Sequence, residues 1–447
     1  MRTALIDRKD FRKELLSLAV PVTLQGIFNA SFNVIDQLMT GQLGSSSIAA
    51  IGLSGKFIGI FNVLVNTFAA VAGIIIAQAI GRKNSEDESK GYYTSFIFTF
   101  VLALVFTALS LLVPGKIMGL YSADSGMISI AESYLRIYSG SFIAVAVTTM
   151  MSTYLRCIDH AKEPLYAGVA SMVTNTVLNY VLIFGLGPIP ALGVKGAALA
   201  SVIAQILSMV ILIACFLRFR RGRNIRVKVY RTATEVKNFG IILLPLFISE
   251  FFWVMGENVY ASIYGHLGTQ ACAAMTLLNP ICSLVIGALT GVSAATGIIV
   301  GKYLGASDRD RAYEAGGRLL AVGLAASVIL CFAVAAVSPL YVKLFNVEEE
   351  VMITAVKIIC VFALFAPVKV LNMILGNGIL RSGGKTAYLM CIDIFGTWGV
   401  GVPLGLLSAF TFSLPIWWVY FILTTEECVR LVIGLAVFRT KKWMGTV

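Results

Sequence analysis

Asp36 stands where a carboxylate is costly. It lies 21 residues into an apolar stretch that opens at Leu15, and Gln25, Asn29 and Asn33 precede it by 11, 7 and 3 residues, so one helical stripe carries all four. A row of amides ending in an acid does not face lipid. It faces a cavity or a partner, and ionisable residues so placed mark transport paths. The same half of the chain supplies Asn62 and Asn66, Asn175 and Asn179, and Ser201 and Gln205, each pair four apart and therefore on one helix face. Together they could form one polar pocket. Such a pocket exchanges cations: burial penalises the bare anion, so Asp36 tends to hold a proton, a metal ion or a cationic ligand. The alternative is an interfacial carboxylate hydrogen-bonded near the outer headgroups.

The later part of the chain carries different groups. Glu250 and Glu257 are seven apart, two helical turns, and share a face with Trp253 and Tyr260, whose rings could hold flat or quaternary cations. Lys369 and Asp393 also fall inside apolar stretches. Either Lys369 pairs with Asp393 or a glutamate as a buried structural ion pair, or at least one of the two glutamates touches cargo. Glu132 and Arg136, four apart, read as a local helix pair, Lys56 as a snorkelling side chain and His266 as a loop residue.

The elements that must position these groups are membrane helices. The chain has 447 residues, 58% hydrophobic and 13% charged, with mean hydropathy +0.87, which leaves too little polar surface to cover a soluble globule. Apolar runs long enough to span about 30 Å of hydrocarbon recur throughout. They predict twelve spans over 15–39, 47–79, 92–113, 126–155, 165–186, 194–217, 239–264, 271–300, 319–337, 351–380, 387–407 and 414–438. Most of the 35 Lys and Arg fall in the termini and on one set of loops, whereas the opposite loops hold only Lys116, Lys195 and Lys343, so both termini are expected in the cytoplasm. The net charge of +12 reflects this asymmetry and the basic cluster 218–237, a segment expected near anionic headgroups, and does not point to nucleic acid. None of the eight cysteines forms a CxxC pair, so neither disulfides nor a cysteine metal site is expected. The basic start followed by an uninterrupted first span lacks a cleavage site, so no removed signal peptide is expected.

The chain also repeats itself. At an offset of 224, Pro21 meets Pro245, Gly41 meets Gly265, Leu43-Gly44 meets Leu267-Gly268, Gly73 meets Gly297 and Gly81 meets Gly305. At 225, Pro114 meets Pro339 and Leu155-Arg156 meets Leu380-Arg381. An all-α integral membrane protein follows, with two parallel six-helix repeats around a central cavity: a lobe at 1–220, a basic linker at 221–238 and a second lobe at 239–447. The repeat does not copy the chemistry. Tyr260 stands at the place of Asp36, Glu257 at that of Asn33 and Trp253 at that of Asn29. Arg381-Ser-Gly-Gly-Lys-Thr386 fails as a phosphate loop, because Ile379 occupies the required first glycine and the segment follows a helix.

These residues resemble the multidrug and toxic compound extrusion transporters over essentially the whole chain. The resemblance rests on PVTLQGIFNASFNVIDQLMTGQLG, on NTVLNYVLIFGLG, on GAALAS and on the paired Leu-Arg motifs. It implies export of organic cations against inward H⁺ or Na⁺, with an ion site at Asp36, Asn175, Asn179 and Ser201, and a first-helix bend at Pro21. Two departures stand out. Many members carry aspartate where Asn179 stands, and a subset has a second-half cation site using a glutamate where Trp253 stands and an aspartate near Lys385. Glu250 and Glu257 are not its equivalents.

The expectation is therefore a cell-membrane antiporter, monomeric and without a cofactor, whose cargo meets Gln25, Asn29, Asn33, Asn62, Asn66, Glu250, Trp253, Glu257 and Tyr260. A Na⁺ ion would take Asp36 as its charged ligand, with oxygens from Asn175, Asn179 and Ser201. A proton needs Asp36 alone, and with one carboxylate at the site a single cation completes neutralisation, which favours H⁺. A flippase for a lipid-linked precursor would want a wide cationic cavity, whereas this one reads as acidic and amide-rich. Export of another small metabolite remains an alternative. An integral membrane enzyme would need clustered catalytic groups, and the chain has two histidines, His160 and His266.

Overall fold

A computed structural model describes residues 8–122, 124–220, 227–343 and 348–446. All of its regular elements are helical. The helices are α1 (Arg8–Gly41), α2 (Ser45–Gly81), α3 (Ser85–Leu112), α4 (Pro114–Gly119), α5 (Ser125–Tyr138), α6 (Gly140–Cys157), α7 (Lys162–Phe184) and α8 (Val194–Arg220). The second series is α9 (Ala233–His266), α10 (Thr269–Gly305), α11 (Arg309–Val342), α12 (Glu349–Met373), α13 (Thr386–Ile394), α14 (Val402–Leu406), α15 (Ile416–Thr424) and α16 (Glu426–Thr440). Among the described residues, ten helices are long and apolar enough to cross a membrane. The fourth and twelfth expected spans are each two helices abutting at Ser139 and Thr425. There the hydroxyls bond back to the carbonyls of Arg136 (2.6 Å) and Ile422 (2.5 Å), a competition with the helix ladder that bends it.

Wide π-helical turns at Ile374–Leu380, Phe395–Gly401 and Leu407–Thr411 interrupt the tenth and eleventh spans. The first two segments are glycine-rich, and two of the glycines have a packing reason. A Cβ at Gly396 would overlap the Arg430 side chain, and one at Gly401 would overlap Glu426 and the Tyr260 hydroxyl. Wide turns of this kind recur at functional sites.

The repeat reaches down to single turns. Lys83 and Ser307, 224 apart, both adopt positive φ (56° and 61°), and the next residues, Asn84 and Asp308, cap α3 and α11 with their side chains. Gly44 and Gly268 share positive φ at the same offset, and Asp159 and Gly384 share it at 225. The chain closes these turns in the same way twice, which is what two copies of one bundle require.

Two compact units divide the chain: one comprises 27–80 and 84–232, the other 1–26, 81–83 and 233–447. The divide falls within α1, between Gly26 and Ile27, five residues beyond Pro21. The first unit has an aromatic core in which Phe57, Phe61, Phe106 and Phe142 meet with ring centroids 4.6 to 6.5 Å apart. Its last described segment lies against α3, with Lys228 paired to Glu86 at 3.0 Å and the Tyr230 N–H donating to Thr94 at 3.0 Å. Of the basic linker, residues 221–226 lie outside the described residues. In the second unit the Thr23 hydroxyl donates to the Ala288 carbonyl at 2.9 Å, and Gly26 and Gly287 pack with no room for a Cβ.

Candidate functional site

In the unit containing 27–80 and 84–232, α7 and α8 form a hairpin that fixes three of the four predicted ion-site residues. The turn between them needs Gly185, Gly187 and Gly193 at positive φ. Gly196 lets α8 approach the Leu182 carbonyl, and the Ser171 hydroxyl donates to the Ala204 carbonyl at 2.9 Å. On this frame the Asn175 amide donates to the Ser201 hydroxyl at 3.3 Å, and the Asn179 amide donates to the Asn175 carbonyl oxygen at 3.2 Å. The same Asn179 nitrogen donates to Asp36 Oδ1 at 2.5 Å. One hydrogen-bonded chain thus runs from Ser201 through Asn175 and Asn179 to the carboxylate. Asn179 is fully buried, and its own Oδ1 accepts no hydrogen bond among the described residues. Stacked Tyr134 and Tyr138, ring centroids 5.8 Å apart, lie within electrostatic reach of Asp36.

The other predicted amides do not join this chain. Asn29, Asn33 and Asn66 are exposed and Asn62 is half-buried, and none of them makes a hydrogen bond among the described residues. Gln25 lies beyond the divide in α1, in the unit that holds the C-terminal half. Pro21 is buried inside an α1 that continues unbroken through it. Glu132 and Arg136 form the local pair read from their spacing, at 2.8 Å.

The unit holding the C-terminal half contains a cavity of about 300 Å³. Glu250, Trp253, Lys369, Asp393, Glu427 and Arg430 are among its lining residues. Lys369 pairs with Glu427 at 3.8 Å, and the Asn372 amide donates to Glu427 at 2.8 Å. Asp393 instead accepts the Ser249 hydroxyl at 2.6 Å. Deeper in the helices, Arg430 pairs with Glu426 at 3.4 Å and donates to Thr397.

Two expected cargo residues sit elsewhere. Tyr260 does not offer its ring to the cavity: it is 5% exposed in an apolar cluster with Ile263, Val402 and Val419, and its hydroxyl donates to Glu426 at 2.5 Å. The repeat placed the residue correctly on the helix, but a buried phenol needs a hydrogen-bond partner, and the twelfth span supplied one. Glu257 is exposed and outside the cavity wall. Sequence reasoning missed Glu426, Glu427 and Arg430, although three ionisable residues within an apolar span were the signal that singled out Asp36. Among the described residues no group of three or more His, Cys, Asp or Glu could hold a metal ion.

Against known proteins, the family model MatE matches this chain twice, at residues 21–181 and 245–407. The uncharacterized transporter YisQ of Bacillus subtilis is 24% identical over 99% of this chain and 97% of its own length. The multidrug resistance protein NorM of Burkholderia vietnamiensis is 28% identical over 90% of this chain and 88% of its own. A crystal structure of MATE in the straight conformation superposes with a TM-score of 0.88 at 18% identity, covering 96% of this chain and 96% of its own. Its twelve-helix fold is the fold found here.

Proposed function

Because this chain belongs to the MatE family of multidrug efflux transporters, multi-pass proteins of the membrane, we propose that it exports small organic cations in exchange for inward H⁺ or Na⁺ held at Asp36. The observation that carries this reading is the chain Asp36–Asn179–Asn175–Ser201, which presents one carboxylate on a rigid amide frame. A carboxylate so placed is stable when neutralised and costly when bare. Binding of the coupling ion and binding of cationic cargo therefore compete for the same free energy, and the empty anion resists reorientation. The protein acts in the cell membrane as a monomer, with both termini cytoplasmic and no cofactor.

The coupling ion in this reading is a proton, because one carboxylate is neutralised by one proton without any further ligand. One observation favours Na⁺ as the second reading: the buried, unpartnered Oδ1 of Asn179 is an acceptor beside the carboxylate that a metal ion would satisfy. The flippase alternative is disfavoured by the size of the C-terminal cavity and by its three carboxylates against two cations. Reconstituted protein should expel a cationic dye when a proton gradient is imposed alone, and not when a Na⁺ gradient is imposed alone. Efflux under Na⁺ but not under ΔpH would overturn the proton assignment, and efflux under neither would overturn antiport.

A further inference from the structure

We propose that the cavity of the C-terminal unit recognises compact amphoteric molecules, with Glu250 receiving an ammonium group at one end and Lys369 a carboxylate at the other. This rests on the reading that the protein exports small molecules, and it narrows their chemistry.

The two groups stand on different helices of the wall. Glu250 is on α9, which packs against α13, whereas Lys369 is on α12, which packs against α11, α15 and α16.

Each end has capacity left for a ligand. Asp393 is engaged by Ser249, but Glu250 has no hydrogen bond or ion pair among the described residues. Lys369 is held loosely. Its Nζ is 3.8 Å from Glu427 Oε1, near the limit of an ion pair, while Glu427 Oε2 accepts the Asn372 amide at 2.8 Å and the Glu427 backbone carbonyl accepts the same amide at 2.7 Å. The Lys369 side chain is 41% exposed, and an ammonium has three donors. Trp253, also on the wall and 45% exposed, offers an aromatic face for the body of the ligand.

Charge placement selects the class. A simple cation would answer the wall's excess of one carboxylate at Glu250 but leave the loosely held Lys369 ammonium without a ligand partner. A simple anion would face Glu250, Asp393 and Glu427. A molecule with separated ammonium and carboxylate groups finds a complement at each end. The volume, at the low end for small-molecule sites, limits it to a compact body.

The test is equilibrium binding to the purified full-length protein with three ligands of one shape: 4-(aminomethyl)benzoate, 4-methylbenzylamine and 4-methylbenzoate. The amphoteric ligand should bind at least tenfold more tightly than either of the others. Lys369→Gln should remove that advantage without weakening 4-methylbenzylamine, Lys369→Arg should keep it, and Glu250→Gln should weaken both amines. Equal affinities on the natural protein, an advantage that survives Lys369→Gln, or no binding of any of the three would overturn the proposal. Ion-driven efflux of a cationic dye by the same preparation tests the transport reading separately. Intact efflux without amphoteric preference would sink this inference alone, and preference without efflux would sink the transport reading alone.

Discussion

Asp36→Asn separates the charge of the site from its shape. The amide keeps an oxygen where Asp36 Oδ1 accepts the Asn179 bond at 2.5 Å, so the chain to Ser201 can persist. A bond to a charged acceptor contributes about 1.5–3 kcal/mol and a neutral one about 0.5–1.5, so roughly 1 kcal/mol is lost there. That loss is offset by no longer burying an anion. Apparent stability in detergent should therefore stay close to that of the natural protein. Transport should not. A proton gradient of two pH units supplies about 2.7 kcal/mol, enough to sustain a roughly hundredfold gradient of a monovalent dye in one-for-one exchange. Without a titrating carboxylate the ratio should fall to one. Dye accumulation in proteoliposomes and a melting curve on the same preparation measure both. A variant that folds and still builds the gradient would refute Asp36 as the coupling group.

Three further outcomes follow from the placement of other residues. Tyr260→Phe keeps the ring but removes the donor to Glu426, so it should cost about 1.5–3 kcal/mol of stability and leave dye affinity within twofold; the reverse pattern would restore the ring to the cargo path. Glu257→Gln should leave binding of a cationic dye within twofold at low salt, since Glu257 is exposed and off the cavity wall, whereas Glu250→Gln should weaken it several-fold; titration of the dye against both variants decides. Pro21→Ala restores an amide N–H inside α1, five residues before the unit divide, and should slow turnover several-fold while dye affinity changes less. An unchanged transport rate would show that bending at Pro21 is not part of the cycle.

The helical spans were legible because lipid forces each crossing into a long apolar run, and because the punctuation between runs has its own physics. Gly81 and Gly305 just ahead of two of these turns could be matched at 224 residues without coordinates, whereas Lys83-Asn84 and Ser307-Asp308, which build the same positive-φ turn and side-chain cap, differ in residue type and show their likeness only in the fold. Spacing marked Asp36, Asn175, Asn179 and Ser201 as polar residues that should meet others, but it marked Asn29, Asn33, Asn62 and Asn66 equally, and these do not join them; the resemblance to the transporter family is what singled out the four.

The C-terminal cavity was harder to read because the evenly wound helix fails as a ruler there. A wide turn takes in more residues than an α-turn, so it rotates everything beyond it, and the tenth and eleventh spans contain three such segments. Faces extrapolated from four-residue spacing in those spans drift away from the faces they present. Lys369 precedes the first wide turn and keeps its predicted inward place, but the partner it meets, Glu427, comes from the twelfth span and not from Asp393 beyond it. Gly396 and Gly401 make the same point from the other side. Each is small because Arg430 or Glu426 occupies the space, so the eleventh span is shaped by charges carried on the twelfth. A sequence shows that such a span contains glycines; which side chain fills the gap depends on a helix some thirty residues away.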